Sequence, residues 1–375
     1  MLISSKPKFN SKHLFNDVNK KPSFLSDNIK YFDNGSDALV MALKNLNIGS
    51  NSKIAIPAYI CKTLTENLRS NNLVPFFYDI NLDLSLDFDF VEKFLRVNNI
   101  EIILLVDFFG FYSFENISLS KKFKEKGYKV IIDRCHSALS SKNTNIDFNQ
   151  VDAMIFSLRK NFGSRDGGAL IDQTPSSFSY KSFVDLKFIF IKFIENIVFY
   201  LGFPNIYSKN FENFKNKYLF KFTKSLNNTN LRFKEVKQNK LLSNYLFKQI
   251  FNEKIVNKIC NSRIENFNRL TRIKSNKNLR IMFEALDDYT VPQVLPVIDE
   301  SMSLTKFLNN QGIGSYRWPG NELDDVVIMC KDKFPNTISL NDKLVCLPIH
   351  QSLKSNEIIK IIECVTEWDN DLNNE

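Results

Sequence analysis

Asp133 closes the apolar run Tyr128-Lys129-Val130-Ile131-Ile132, and Lys160 follows a second apolar run, Ala153-Met154-Ile155-Phe156, within Ser157-Leu158-Arg159-Lys160. An acid at the carboxyl end of one strand and a lysine just past a neighbouring one can serve a pyridine aldehyde. The carboxylate keeps the ring nitrogen protonated, and the amine bonds the aldehyde. That is how a pyridoxal 5'-phosphate (PLP) site is built. The cationic ring then draws electrons from the carbon that bears the substrate amine, and the lysine needs a partly desolvated setting that leaves its amine nucleophilic. Taken alone, Asp133 merely starts a loop after a buried strand, and Lys160 is one of many solvated cations in a chain with 50 Lys plus Arg.

The surrounding elements give the pair its meaning. Asn34-Gly35-Ser36-Asp37-Ala38-Leu39 leads into Leu39, Met41, Ala42, Leu43 and Leu46, an apolar face at helical spacing, so a Gly-Ser turn opens a helix. Free amides at that helix start, beside the Ser36 hydroxyl, make an anion site suited to a cofactor phosphate; Ser36 can equally serve as the N-cap. Strand-like runs (53–56, 75–78, 101–106, 129–132, 153–156 and 169–171) alternate with helical patterns such as 63–69 and 118–126. The alternation predicts an α/β fold with a mostly parallel central sheet covered by helices. Ligands of such sheets bind beyond the carboxyl ends of strands, where Asp133 and Ser157 to Lys160 fall.

Around this core the chain divides into an arm over residues 1–30, polar and rich in Ser, Asn and Lys, a large domain over 31–240 and a smaller α/β domain over 241–375. The arm is expected to run over the surface or a partner subunit. Residues 178–235 read as an insertion or interface segment. Within them Leu186 to Phe203 is the most apolar stretch, but Lys187, Lys192 and Glu195 interrupt it and it is too short for a transmembrane segment. A buried or dimer-covered helix is expected, with docking on a membrane surface as the lesser reading.

Composition narrows the function classes. With 43% hydrophobic residues in 375, the chain can bury a large core, and its net charge of +9 suits anionic partners such as nucleotide diphosphates. The lysines read as diffuse solvated surface, with no arginine-rich stripe interleaved with aromatics, so nucleic acid is not an expected partner. Cys61, Cys135, Cys260, Cys330, Cys346 and Cys364 form no C-x-x-C pair, and the start Met1-Leu2-Ile3-Ser4-Ser5-Lys6 has no signal-peptide core. Free thiols in a reducing cytoplasm are expected. Three histidines, His13, His136 and His350, give no support to a zinc site.

The ordered set Asn34 to Leu39, Ile56-Pro57-Ala58-Tyr59, Ile132-Asp133-Arg134-Cys135-His136, Phe156 to Lys160, Gly167-Gly168-Ala169 and Leu347-Pro348-Ile349-His350 resembles the DegT/DnrJ/EryC1/StrS family. That family comprises PLP-dependent nucleotide-sugar aminotransferases of fold type I. The resemblance runs from about Tyr31 to Val365 and is weakest between Phe178 and Arg280. It implies Lys160 as the lysine that bonds the cofactor and shuttles protons, and Asp133 as partner of the ring nitrogen. Gly35, Ser36, Asp37 and Ser157 become phosphate contacts. His136 stands where the family usually has glutamine against the ring oxygen, and a histidine there can also titrate near neutral pH.

Three departures accompany the resemblance. Ser157 and Lys160 are separated by a shorter loop than in much of the family. Cys61 stands where many members carry an aromatic that stacks on the cofactor ring, which leaves the stacking either to Tyr59 or to no residue. The family's Gly-x-Asn-x-Arg stretch, which reaches the partner subunit's site, has only a faint counterpart in Asn230-Leu231-Arg232. Asp107, where the family more often has histidine, is expected in a loop that shapes the pocket, and Gly167-Gly168 in a hairpin turn. Arg317 either meets an anionic substrate group or packs on Trp318, and His350 is structural.

Together these readings predict a cytoplasmic homodimer that moves an amino group, with glutamate as the implied donor, to a keto group of a nucleotide-linked sugar for surface-glycan biosynthesis. The alternatives are other PLP chemistry on the same scaffold, a non-catalytic PLP-binding or regulatory protein, and a basic protein that docks at an acidic membrane or nucleic acid.

Overall fold

The computed structural model describes residues 2–18, 29–141, 147–174, 181–200, 238 and 241–374. The faint candidate Asn230-Leu231-Arg232 and most of the 178–235 segment lie outside the described residues.

The expected α/β alternation is present. Strands β1 (Lys30–Phe32), β2 (Lys53–Pro57), β3 (Val74–Tyr78), β4 (Ile102–Val106), β5 (Lys129–Asp133), β6 (Ala153–Ser157) and β7 (Gly168–Asp172) form one sheet in the order β1-β7-β6-β5-β4-β2-β3. Pairing is parallel except where β7 runs against β6 and β1. Helices α1 (Gly35–Asn45), α2 (Lys62–Ser70), α3 (Phe88–Val97), α4 (Phe114–Glu125) and α5 (Leu158–Phe162) connect these strands.

Both faces of the sheet are buried, which explains the near-continuous apolar strands. Successive residues alternate between two cores. Ile103, Leu105, Val130, Ile132 and Phe156 pack with Val91 and Leu95 of α3 and Leu119 and Phe123 of α4. Ile102, Leu104, Ile131, Ala153 and Ile155 pack with Leu39 and Leu43 of α1 and Leu64 and Leu68 of α2. In register, Val106 of β4 stands beside Asp133 of β5, and Asp133 beside Ile155 of β6. The carboxyl ends of three central strands therefore share one edge.

Strand β8 (Lys181–Phe183) leads into α6 (Leu186–Tyr200) and pairs with β9 (Leu241–Ser243), which precedes α7 (Asn244–Ile250) and α8 (Glu253–Leu270). A second, antiparallel sheet follows, built from β10 (Leu279–Ile281), β11 (Val294–Asp299), β12 (Tyr316–Arg317) and β13 (Leu344–Pro348) in the order β10-β11-β13-β12. Helices α9 (Leu304–Asn310), α10 (Asp325–Met329), α11 (Pro335–Lys343) and α12 (Ser355–Asn374) complete the chain. Leu295, Val297, Val345 and Leu347 pack with Leu304, Leu308, Ile358, Ile361 and Trp368 into a separate core. Phe267 and Leu270 at the end of α8 join it, whereas Val256 and Ile259 join the large-domain core, so α8 serves both.

Helix α6 is only half covered. Phe188 is buried against Phe9 and Tyr245, while Leu186, Phe190, Phe193 and Ile197 are 73, 65, 59 and 44% exposed. Their spacing puts them on one stripe. The expectation of a buried helix is thus met on one face only. Among the described residues no helix is long and apolar enough to cross a membrane. The described part of the N-terminal arm lies on its own chain: Ile3 bridges Ile313, and His350 Nε2 is 2.9 Å from the Ser4 carbonyl oxygen. Burial lowers the His350 pKa to about 3, a neutral structural histidine as expected.

Candidate active site

The start of α1, the end of β5 and the β6–α5 junction meet at the carboxyl edge of the large sheet. A Cβ placed on Gly35 would lie 2.5 Å from Cys135 Sγ, 3.4 Å from the Phe156 carbonyl oxygen and 3.6 Å from Ser157 Cβ, so only glycine allows this approach. The loop before α1 crosses β7 as closely: a Cβ on Gly168 would fall 1.9 Å from the Asn34 carbonyl oxygen. Gly168 therefore does more than make the expected hairpin turn. It lets the turn before α1 lie directly over the sheet edge.

Asn34, and not Ser36, caps α1. Its Oδ1 accepts from the Asp37 amide at 3.0 Å, and its Nδ2 donates to Asp37 Oδ2 at 3.1 Å. Asp37 is buried and also accepts from Asn67 Nδ2 at 3.2 Å, so its carboxylate is tied into the cap. That arrangement leaves the Gly35 and Ser36 amides and the half-exposed Ser36 hydroxyl as the donors of this helix start. Ser157 is buried, makes no side-chain cap bond to α5, and adds a hydroxyl beside them.

Asp133 is 5% exposed, and its Oδ1 accepts from the Cys135 amide at 2.7 Å. Burial raises its pKa, against the opposing pull of the Lys160 charge and the Cys135 N–H. No cationic side chain among the described residues is within ion-pair distance of it. Lys160, half-buried on α5, makes no hydrogen bond or ion pair among the described residues, yet its charge acts on Asp133, Cys135 and His136. Acid and amine thus act on each other electrostatically without forming an ion pair. Burial, then the Asp133 charge, pushes the Cys135 thiol far up, which makes it a packing residue.

His136 is 5% exposed, and its Nδ1 accepts from the Phe109 amide at 3.2 Å. Burial, then the Lys160 charge, lowers its pKa well below the usual histidine value. The expectation that it could titrate near neutral pH is therefore corrected: it stays neutral there. Its ring stacks on Phe109 at 5.7 Å and meets the edge of Trp318 at 4.8 Å.

Tyr59 is fully buried. Its ring packs against Phe108 at 5.7 Å and Trp318 at 5.0 Å, and its hydroxyl donates to the Trp318 carbonyl. It backs an aromatic wall and presents no open ring face. Arg317, on the other side of the short β12 strand from Trp318, donates to the Met302 carbonyl within the small domain. Trp318, and not Arg317, is the residue that packs against His136 and Tyr59. Asp107 is fully buried in an ion pair with Arg134 at 3.0 Å and accepts from Asn116 Nδ2 at 2.7 Å, so it braces the strand ends and does not line an open loop.

A mostly parallel seven-stranded sheet, an acid at one strand end, a lysine past the next and a smaller antiparallel domain define the fold of PLP-dependent fold-type I transferases. Residues 31–179, which include β2 to β7 and most of β1, match the model of the DegT/DnrJ/EryC1/StrS aminotransferase family. Among solved structures, the aminotransferase TlmJ from Streptoalloteichus hindustanus superposes with a TM-score of 0.66 at 11% identity, over 100% of both chains. The putative sugar aminotransferase Spr1654 from Streptococcus pneumoniae, in its PLP form, gives 0.65 at 13% identity over 97% of each chain. A DegT DnrJ EryC1 StrS aminotransferase from Brucella abortus gives 0.60 at 16% identity, over 91% of this chain and 85% of that one. At these identities the likeness establishes the fold. No curated protein matches the sequence.

Proposed function

We propose that the protein is a PLP-dependent aminotransferase that moves an amino group from an amino acid, with glutamate as the expected donor, to a keto group of a nucleotide-linked sugar. One arrangement supports the reading: a buried acid and a half-buried lysine that acts on it electrostatically, each without an ionic partner among the described residues, lie with the start of α1 and Ser157 at one sheet edge. These groups fit PLP. Its pyridine nitrogen, aldehyde and phosphate need a carboxylate, an amine and an anion site. When bound, PLP supplies an electron sink for the bond changes at the carbon that carries the amine.

The chain's own residues do the rest. Asp133 would hold a proton at the ring nitrogen. The Gly35 and Ser36 amides, with the Ser36 and Ser157 hydroxyls, would bind the phosphate, and Asp37 keeps that turn in place through its cap. Lys160 would hold the cofactor through Nζ, and its amine is the group placed to take and return a proton at the donor's alpha carbon. Tyr59 supports Trp318 at the wall.

The exposed stripe of α6 supports a homodimer that covers it, and surface-glycan biosynthesis in the cytoplasm is the setting that the matched family suggests. The absence of an open aromatic face at Tyr59, with Cys61 at the expected stacking position, favours one second reading, PLP binding without turnover.

The visible spectrum of the protein with PLP, before and after glutamate, tests both readings in the native chain and in Lys160→Ala. The aminotransferase reading expects a band that requires Lys160 and is bleached by glutamate. A lysine-dependent band that glutamate leaves untouched supports binding without turnover, and no lysine-dependent band overturns the PLP site.

A further inference from the structure

Phe109 occupies the left-handed backbone region, with φ 57°, and Gly110 follows at φ 94°. A bulky residue held there is unfavourable and persists only where its surroundings over-determine it. They do so here. The Phe109 carbonyl accepts from the Gln293 amide at 2.7 Å, and a Cβ on Gly110 would lie 2.3 Å from the Gln293 nitrogen. Ser140 Oγ donates to the Gly110 carbonyl and accepts from the Val291 amide at 2.9 Å. The Tyr112 amide donates to Thr290 Oγ1 at 3.2 Å. The turn after β4 is thus clamped to residues 290–293, the lead-in to the first long strand of the small domain.

The clamp reaches the site through the Phe109 N–H on His136 Nδ1. A backbone amide can only donate, so Nδ1 must be the acceptor and the ring proton of a neutral His136 must sit on Nε2. Phe109 and Trp318 hold the ring plane from two directions. Nε2 has no partner among the described residues. We infer that Phe109 is a positioning residue, which locks His136 in the Nε2–H tautomer so that it donates a hydrogen bond to the ring oxygen of the cofactor. The donor half of this inference rests on the PLP reading above, whereas the tautomer does not. The strained turn then explains why a histidine can serve at this position: an unlocked imidazole would offer an acceptor to an oxygen that needs a donor. It also ties the small domain to the chemistry, since Thr290 to Gln293 hold the turn that sets the proton.

The test begins on cofactor-free protein labelled with 15N-histidine. Only three histidines are present, so His136 is assigned by difference from His136→Gln. At pH 7 the inference expects Nδ1 unprotonated and Nε2 protonated; the opposite tautomer or a doubly protonated ring overturns it. Ser140→Ala, which loosens the clamp without touching His136, is expected to turn the single tautomer into a mixture, and an unchanged ring in the folded variant removes the clamp from the argument and overturns it. PLP affinity tests the donor. Gln can accept from Phe109 and still donate, so His136→Gln should hold PLP nearly as tightly as the native chain, while His136→Leu should lose about tenfold or more. Native affinity in the leucine variant overturns the donor role. Failure of the native chain to bind PLP sinks the proposed function and leaves the tautomer result standing.

Discussion

Asp107 and Asp133 end adjacent strands, are equally hidden from water, and have been given opposite surroundings. Asp107 is enclosed by Arg134, whose guanidinium also lies 4.6 Å over the Tyr112 ring, and by Asn116. Asp133 has one backbone amide and a lysine that does not reach it. Burial raises the pKa of both, and in Asp107 the nearby arginine only offsets this in part. The difference teaches which acid is structural. A buried pair that is complete can only be broken, whereas a buried acid left without a cation is set up to receive one from outside the chain.

The sharpest way to break the comparison is to remove Arg134. Arg134→Met leaves Asp107 buried with Asn116 alone, and such an orphaned charge costs about 3–5 kcal/mol. Urea unfolding at pH 7 should show that loss, and cofactor uptake by the folded fraction should change little. A loss below about 1 kcal/mol would mean that the pair is not the brace described here.

Asp133→Asn should do the reverse. The amino-donor half-reaction, followed by absorbance, should slow by roughly 100-fold, the scale for loss of one preorganised electrostatic partner. Stability should not fall. The folded pKa of Asp133 lies above its unfolded value, so ionisation at neutral pH works against folding. The variant is therefore expected to match or exceed the native melting temperature without cofactor at pH 7, and this gain should shrink as pH falls below the raised folded value and be gone below 3.8. Lower stability at pH 7 would place Asp133 among the structural acids.

A pair in the same sheet with the opposite sign makes the contrast measurable. Lys30, in β1, bonds Asp172, in β7, which also accepts from Asn45 and Thr174. Burial opposes ionisation here too, but these donors outweigh it and hold the Asp172 pKa below 3.8. A depressed carboxyl stabilises the fold above its unfolded pKa and loses that contribution as pH falls through the folded one. Asp172→Asn should thus cost about 1.5–3 kcal/mol at pH 7, and the deficit should close below pH 3.8. Parallel melts of the two Asn variants across that range, with shifts of like sign at pH 7, would erase the distinction.

What was legible in the sequence follows from the range of the contacts. The strand runs, Asp133 at the end of one and Lys160 past the next depend on local apolar patterning, and the structure has them there. The cap is partly legible: Asn34, like Ser36, is a residue type that caps helices, and only the folded geometry separates the two. The aromatic wall is not. Tyr59 and Trp318 are 259 residues apart, and nothing in either neighbourhood announces the other. The neutral His136 likewise depends on burial that only the folded chain creates. Which face of α6 is buried likewise depends on Phe9 and Tyr245, residues far from Phe188 in sequence.

The smallest effect concerns how tightly the site is assembled. The start of α1 approaches β5 so closely that a methyl group on Gly35 would lie 2.5 Å from Cys135 Sγ, well inside van der Waals contact. Gly35→Ala should lower stability and loosen the phosphate turn together, because relief of the clash moves α1 away from Ser157. Cys135→Ala removes the sulfur and makes room. The two changes together should therefore cost less than the sum of each alone, with a coupling of about 1 kcal/mol. Unfolding free energies for the four members of the cycle measure it, and PLP affinity should recover in the double variant along with stability. Additive energies would mean that the turn is held away from β5 by something other than this contact, and the close approach of Gly35 would lose its place in the account of how the phosphate donors are positioned.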